Sequence, residues 1–381
     1  MWSRRTGTRS PAPSVAEGVR WTMSQPDSSA VGRRRTAAEI GRMGAEGLDL
    51  ASIRTNGLRS LRASMSIDAA FFATVDPTTL LFTSALAEEP LASVTVQFLD
   101  NEYSRNDVNK FARLAASADK VSSLDRATGG DRMSSPRYRE VLAPLGLGDE
   151  IRVALSVGGL CWGVLCLHRS ASAVGFDTAD LDLVRRVAPD MAKGLRRSFT
   201  LYPTATTVPS VGPGIIILDA DLGIVSLNPA AETLLADVVD ADWPADLELP
   251  VTVYAVVAAR LASDHHDGAA PQPVTRLRRG CGDWITVNVS PLRGGADGQM
   301  AVILDSADTG HVSSLILAAH GLTPAQSRVV SLVLQGWSTP SIVNELQITA
   351  NTLQEHLHAV FDKLGIGSRR ELVAVLSARS H

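Results

Sequence analysis

The C-terminal part of the chain carries start and stop signals for four short helices in succession. Thr323 to Gln326 forms a capping box with proline at the first helical position, and Gly336 follows as a left-handed helix stop. Ser338, Thr349 and Ser368 then stand at the starts of three further helices as N-cap residues. These local signals predict a small all-α domain.

Apolar residues in this segment repeat at helical spacing, so each helix has one side to bury. The longest such stripe belongs to the third helix and runs from Leu353 through Leu357 to Leu364. Only the Gln347–Ile348 break separates this helix from the second one, which fits the tight turn of a helix-turn-helix module.

The same segment resembles the LuxR-type (NarL/FixJ-like) DNA-binding domain from Leu322 to Leu372. The matching positions are Leu322, Thr323, Gln335–Gly336, Ser338, Ile342, Leu346, Ile348, Thr352, His356, Lys363–Gly365 and Glu371–Leu372. The resemblance implies that the third helix enters the major groove of double-stranded DNA and that a homodimer binds two half-sites. The DNA-binding residues that we expect on this basis are Thr349, Asn351, Thr352, Gln354, Glu355, His358, Lys363, Arg369 and Arg370.

The departures from the family pattern concern the surface that would meet DNA. Gln354 stands where a basic residue is usual, and Glu355 follows it. Between His320 and His381 five basic residues face four acidic ones, a net charge of +1, which predicts weak and salt-sensitive binding by a single domain. Asn351 and Gln354 are candidates to read adenine edges, and Glu355 to accept from cytosine. The alternative is that these side chains only solvate a helix face.

Length and composition place the chain among ordinary multidomain proteins. Its 381 residues suffice for several domains, and a net charge of −4 argues against a protein coated in nucleic acid. It has no apolar run of about 18 residues, so we expect no membrane span. Three scattered cysteines indicate neither a disulfide framework nor a metal site and suit a reducing cytoplasm.

Residues 1–35 differ from the rest, with seven arginines against two acidic residues and little apolar periodicity. We interpret them as a disordered basic leader. Two readings remain open: translation begins at Met23, or Arg33 to Arg35 lend a non-specific attraction to DNA.

The next part of the chain mixes helical and strand patterns. Thr36 to Leu61 and Tyr103 to Ala118 are helical in character, and Ser122 to Pro136 has the composition of a surface loop. Asp149 to His168 reads as two strands joined by Gly158-Gly159, a strong hairpin signal. Asp177 or Thr178 then caps an amphipathic helix.

This order, and the phrase VALSVGGLCWGVLCLHRS followed by FDTADLDLVRRVAPDMAKGL, resembles a GAF domain over residues 36–200. The resemblance implies a sensory module in which a sheet and helices enclose a pocket for a small ligand. The alternative is a pocket filled by its own side chains.

Residues 201–310 resemble a PAS domain. Gly214 to Leu235 reads strand, turn, strand and helix, with Asn228 as the helix cap, and Trp284 to Leu292 alternates at period two. The stretch 236–275 is irregular. His265-His266 lies beside acidic residues in a polar loop, so we interpret it as solvated rather than as a haem ligand.

The sequence therefore predicts a multidomain α+β fold, with two mixed α/β sensory domains followed by an all-α four-helix domain at 311–381. His311 to Ala319 is the expected helical bridge to that last domain. We find no catalytic motif and expect no cofactor and no metal. The leading hypothesis is a cytoplasmic transcription regulator that is a homodimer and responds to a small ligand or partner. The alternative is a protein-interaction scaffold whose helix-turn-helix domain binds DNA weakly.

Overall fold

A computed structural model describes residues 26–200, 212–236, 238, 249–264, 273–279, 284–294, 297–306, 315 and 317–378. Most of the basic leader, the pair His265-His266, Cys281 and most of the bridge from His311 lie outside the described residues.

The described part of the chain contains two five-stranded antiparallel sheets followed by a helical C-terminal region, which confirms the predicted fold class. The strands are β1 (Ala69–Val75), β2 (Phe82–Ala87), β3 (Val121–Ser123), β4 (Leu147–Val157), β5 (Leu160–Ser170), β6 (Gly214–Leu218), β7 (Ile224–Leu227), β8 (Val274–Arg278), β9 (Trp284–Pro291) and β10 (Met300–Ser306). The helices are α1 (Ala30–Ala45), α2 (Leu50–Arg62), α3 (Thr95–Ser104), α4 (Phe111–Ala116), α5 (Leu124–Thr128), α6 (Thr178–Ser198), α7 (Pro229–Ala236), α8 (Val251–Asp264), α9 (Pro324–Leu334), α10 (Thr339–Leu346), α11 (Ala350–Leu364) and α12 (Arg369–Ala378). Among these helices, none is long and apolar enough to cross a bilayer.

The first sheet has the strand order β2-β1-β5-β4-β3 and is buried on both faces. Helices α1, α2 and α6 cover one face, where Phe72 and Leu165 belong to their apolar cluster. Helices α3 and α4 cover the other face. Phe71 contacts Phe98 of α3 there, and Phe111 of α4 belongs to the same apolar cluster. The β4–β5 hairpin turns at Gly158 and Gly159, whose φ angles of 64° and 80° fit the predicted glycine turn.

The second sheet has the order β7-β6-β10-β9-β8 and packs one face against α8. Burial alternates along β9: Ile285, Val287 and Val289 are buried, and the residues between them are partly exposed. This alternation is the period-two pattern that the sequence predicts for a sheet with one face in the core.

Helix α8 joins the two sheets into one apolar core. It packs on helix α3 and on strand β2 of the first sheet, and on strand β9 of the second sheet. A buried ion pair adds a second link, because the Arg276 Nη1 of β8 lies 2.9 Å from the Asp76 Oδ2 at the end of β1. The prediction that 236–275 is irregular is wrong over Val251–Asp264, where a continuous apolar run hides the helical period.

The predicted boundary at residue 35 is also wrong, because α1 begins at Ala30. The Ser29 side chain accepts a hydrogen bond from Gly32 N and so caps the helix. Arg33 Nη2 lies 3.2 Å from Asp180 Oδ1 on α6. That ion pair places part of the arginine run in the first domain rather than in a leader.

Three other predictions in the first domain need correction. The single helix predicted from Thr36 to Leu61 is two helices, since Asp49 caps α2 after a break. The helix predicted from Tyr103 to Ala118 is shorter and is represented by α4. The predicted loop Ser122–Pro136 contains most of the edge strand β3 and all of helix α5. Leu124, at the start of α5, is completely buried and anchors this segment in the core.

Candidate functional site

The helix-turn-helix scaffold is built by local hydrogen bonds at each helix start. Thr323 N donates to Gln326 Oε1 at 3.0 Å, and Gln326 N donates back to Thr323 Oγ1 at 3.2 Å, which confirms the predicted capping box. Thr349 Oγ1 accepts from Thr352 N at 3.1 Å and starts α11. Gln347 ends α10 with φ 52°, a left-handed conformation that lets the chain reverse before Thr349.

Helix α11 has a buried and an exposed side. Leu353, Leu357 and Val360 are buried against the other helices of the C-terminal region. On the opposite side four of the predicted DNA-binding residues form one exposed stripe at helical spacing: Asn351, Gln354, Glu355 and His358. The structure therefore brings the predicted base-reading residues together on one accessible face.

Two of these residues are bonded to each other. Asn351 Nδ2 donates to Glu355 Oε1 at 2.8 Å, so the amide and the carboxylate partly satisfy one another. Within the described residues, the side chains of Gln354 and His358 form no hydrogen bond, and both are exposed. Within this stripe, Gln354 and His358 are consequently the groups most available to an outside partner.

The predicted basic residues lie elsewhere and largely serve the scaffold. Lys363 Nζ donates to Gly321 O and to Gln326 Oε1, both at 2.8 Å, and so fixes the end of α11 to the start of α9. Arg369 donates to Trp337 O. Arg370 is exposed at the start of α12. The exposed stripe of α11 therefore lacks a positive side chain of its own.

A second cluster, which the sequence analysis missed, lies between the first sheet and helices α3 and α4. Arg152 Nη2 lies 2.8 Å from Glu102 Oε2, and its Nε lies 3.6 Å from Glu150 Oε1. Arg137 Nη2 lies 2.8 Å from Glu150 Oε2. All four side chains are almost completely buried. We call Glu102, Arg137, Glu150 and Arg152 the buried ion network.

The neighbouring charges keep the buried carboxyl of Glu150 ionised. Burial by itself would raise the pKa of Glu150, but the charges of Arg137 and Arg152 outweigh it and lower the pKa to about 2. Asp107 is held in the same way: Arg137 overcomes its desolvation and lowers the pKa of the carboxyl. Asp107 also accepts from Arg137 N at 2.7 Å and from Ser135 Oγ at 2.8 Å. The carboxylates are thus ionised and paired in an interior position.

Beside the network lies His168, which is completely buried. Burial lowers the pKa of His168 to about 4, with the charges of Arg137 and Arg152 adding to the effect, so the ring is neutral at pH 7. Possible metal-ligand atoms of Glu150, Cys166 and His168 lie within 4.8 Å of one another. Two guanidinium groups already occupy Glu150, however, and they would repel a divalent cation. We therefore assign no metal to this group.

Two aromatic rings pack against the buried ion network. The Arg152 guanidinium carbon lies 3.8 Å from the Phe111 ring centroid and 5.4 Å from the Phe98 ring centroid. The sequence does contain a signal for this network. Glu150, Arg152 and His168 are polar residues within the two apolar strands on either side of the Gly158-Gly159 turn.

Comparison with known families agrees with two of the three resemblances. Residues 320–376 match the family described as "Bacterial regulatory proteins, luxR family", and residues 50–195 match the GAF domain. The C-terminal region is therefore a LuxR-family helix-turn-helix domain, and the first domain is a GAF domain. The PAS resemblance of the central region stays a prediction.

The alignments with curated relatives cover parts of those proteins and parts of this chain. The tetrathionate response regulatory protein TtrR of Salmonella typhimurium is 30% identical over 108 residues, which are 28% of this chain and 51% of TtrR. The HTH-type transcriptional regulator MalT of Yersinia pestis is 36% identical over 52 residues, which are 14% of this chain and 6% of MalT. The chain thus spans about half the length of TtrR and a small part of MalT.

Among solved structures, a complex of VqmA with ligand and DNA from Vibrio cholera is 18% identical to this chain. The match covers 45% of this chain and 82% of that one, with a TM-score of 0.20. A TM-score this low supports no conclusion about the present fold.

Proposed function

We propose that this chain is a transcription regulator whose GAF and central domains sense a small ligand or partner and control DNA binding by its LuxR-family domain. The observation that carries the proposal is the exposed polar stripe of α11. This helix starts at a hydrogen-bonded N-cap, and its other side is buried in the apolar core of the helix-turn-helix domain. The proposal places the protein with the chromosome in the cytoplasm. The three domains then extend to about residues 200, 310 and 381, and the first of them starts near Ala30.

The proposed interface has two parts. Asn351, Gln354, Glu355 and His358 face the base edges of the major groove. The remaining predicted members lie outside that stripe. Thr349 and Thr352 at the start of α11 and Arg370 at the start of α12 face the phosphates, whereas Lys363 and Arg369 are bonded within the scaffold and add positive charge beside the interface. Because few of these groups are positive, one domain binds weakly and a homodimer on two half-sites supplies the affinity.

The test is a gel-shift of the full chain with DNA fragments from upstream of its own operon, over a salt series. We expect binding whose affinity falls steeply as salt rises. Gln354→Ala should relax specificity and weaken specific binding by about 1–3 kcal/mol. Gln335→Ala, an exposed glutamine at the end of α9, is the matched control and should bind as the parent does. No shift at low salt would overturn the proposal.

One observation favours a second function, a protein-interaction scaffold that binds DNA poorly. The exposed stripe of α11 has no positive side chain, and its Asn351 is bonded to Glu355. Glu355→Gln separates the two functions, because it removes a negative charge from the stripe. A DNA-binding domain should then bind DNA more tightly. A scaffold should bind DNA equally poorly with either residue.

A further inference from the structure

Helices α1 and α6 lie side by side on the outside of the GAF domain. At their starts, Arg33 Nη2 of α1 lies 3.2 Å from Asp180 Oδ1 of α6. Near their ends, Arg197 Nη1 donates to Gly44 O at 2.7 Å, and a Cβ on Gly44 would stand 2.4 Å from Asp190 O. The two helices therefore run in the same direction in close contact and present one shared outer surface.

This outer surface is basic. Six exposed cations lie on it, three from each helix, and we call them the basic face: Arg34, Arg35, Arg42, Arg186, Lys193 and Arg197. Asp182 on the same side of α6 is paired with Arg185 Nη1 at 2.9 Å, and Asp190 is paired with Lys193 Nζ at 2.8 Å. Asp27 and Glu46 lie beyond the two ends of α1. The surface keeps an excess of positive charge.

Three members of the basic face are available to a partner. Within the described residues, Arg34, Arg42 and Arg186 form neither an ion pair nor a side-chain hydrogen bond, and all three are exposed. Ala38, which is exposed between Arg34 and Arg42 on α1, leaves space around these two side chains. Planar guanidinium groups bind phosphate oxygens in pairs, so a row of them matches a chain of phosphates.

The basic face leads to the DNA-binding domain. Arg196, in the last turn of α6, has its Nη1 3.3 Å from where a Cβ on Gly321 would stand. Lys363 Nζ, in the last turn of α11, donates to the carbonyl oxygen of the same Gly321 at 2.8 Å. The last turns of α6 and α11 thus meet at one residue, and the basic face extends from this junction along α6 and α1. Helix α1 alone has 16 residues and is about 24 Å long, the length of about seven base pairs of duplex.

We propose that the basic face binds the phosphate backbone of double-stranded DNA next to the segment that α11 contacts. The proposal rests on the DNA binding proposed above and adds a second, sequence-independent contact to it. Since the exposed stripe of α11 has no positive side chain, the GAF domain then supplies phosphate contacts that the LuxR-family domain lacks. A second copy of the chain fits this surface less well, because a symmetric contact would bring the same arginines face to face.

The test measures, by fluorescence anisotropy, how salt changes the affinity of the full chain for duplexes of arbitrary sequence, about 15 and about 35 base pairs long. Only the longer duplex reaches past α11 to the basic face. For the parent chain, the slope of log affinity against log salt should be steeper on the longer duplex by about 2 to 3, close to one unit for each added phosphate contact. This comparison needs no variant, so a folding defect cannot obscure it. Equal slopes on the two duplexes, or no binding of the longer one at about 20 mM salt, would overturn the proposal.

A triple variant then locates the contact. It combines Arg34→Gln, Arg42→Gln and Arg186→Gln, and glutamine preserves the helical propensity of each position. On the longer duplex its slope should fall to the value for the shorter one, and its binding should weaken about tenfold or more at about 100 mM salt.

The control is a second triple variant with the same net charge. It combines Arg105→Gln, Arg113→Gln and Arg139→Gln, three exposed arginines on the side of the first sheet that α3 and α4 cover. The control should bind both duplexes as the parent does. Equal losses in the two triple variants would mean that net charge, and not the basic face, governs binding, and would refute the assignment.

Sequence selectivity separates this proposal from the regulator. A loss of longer-duplex binding in the basic-face variant, without any preference of the parent for upstream fragments over an arbitrary sequence, would support the basic face and refute the regulator. Selective binding of the upstream fragments that is unchanged in the basic-face variant would support the regulator and refute the basic face.

Discussion

The two sheets of this chain share one strand order, yet they differ in how many charged side chains they bury. In each sheet the second strand lies at one edge, next to the first strand, and the third strand lies at the other edge. The first sheet is covered on both faces and buries Glu150, Arg152 and His168 within its strands. The second sheet leaves Thr286 and Ser290 of β9 partly exposed, and its buried Arg276 is paired with Asp76 of the first domain.

The difference shows that helix coverage, and not strand topology, decides whether a polar strand residue needs a protein partner. A polar residue on an open face is solvated by water. Under α3 and α4 the same kind of position is closed to water, so each charge must find an opposite charge inside the fold. The buried ion network is the consequence.

The largest effect is expected from breaking the network. Arg152→Met leaves Glu102 and Glu150 without their shared partner in a closed interior, so we expect a loss of about 4 kcal/mol in the free energy of unfolding. Urea unfolding of the full chain, followed by circular dichroism, measures it. Arg105→Met is the control: its exposed ion pairs should contribute less than about 1 kcal/mol. Similar losses in both variants would mean that the first sheet is open to water.

The free energy of unfolding should depend on pH through the buried ring of His168. The folded-state pKa of His168 is depressed from 6.5 to about 4, so between these values the unfolded chain binds a proton that the folded chain does not. The contribution of His168 to the free energy of unfolding is therefore fully present above pH 6.5. It falls as the pH drops toward 4, by on the order of 3 kcal/mol at pH 4.

Unfolding of the parent chain and of His168→Gln, measured between pH 7 and pH 4, tests this prediction. The variant should lose less stability over that range, because it lacks the titrating ring. The charged groups nearest the ring, Glu150, Arg137 and Arg152, remain in both proteins. Parallel pH profiles for the two proteins would contradict a buried neutral histidine.

The ion pair between Arg276 and Asp76 links the two sheets and should contribute to their stability. Arg276→Met removes the partner of Asp76 Oδ2, while Asp76 Oδ1 keeps its hydrogen bonds from Thr78 N and Thr78 Oγ1. Because that carboxylate stays partly satisfied, we expect a loss of about 2 kcal/mol. Calorimetry should also show the two sheets unfolding less cooperatively than in the parent. An unchanged single transition would indicate that α8 alone couples them.

The sequence predicts elements well where the signal is local. Gly158-Gly159 between two apolar runs identifies the β4–β5 hairpin, and Thr323, Ser338 and Thr349 mark helix starts, because turns and caps involve neighbours in sequence. Helix α8 escapes prediction because the continuous apolar run at its start has neither a helical nor a strand period, since both sheets bury it.

The candidate sites divide in the same way. The exposed stripe of α11 follows from helical spacing once the helix is located. The buried ion network does not, since Glu102 and Arg152 are far apart in sequence and meet only when α3 closes over β4.

The smallest effect is expected at the glycine turn of the β4–β5 hairpin. In the first sheet the β4–β5 hairpin passes through Gly159 at φ 80°, and no atom of the described residues lies within 4 Å of where a Cβ would stand. Gly159→Ala therefore tests backbone conformation alone, and we expect a loss of about 1 kcal/mol. Gly212, before the second sheet, has a φ outside the left-handed region and likewise no described atom within 4 Å of the Cβ position, so Gly212→Ala should be neutral or slightly stabilising. Thermal unfolding midpoints distinguish the two variants, and equal shifts would mean that the glycine turn does not constrain the hairpin.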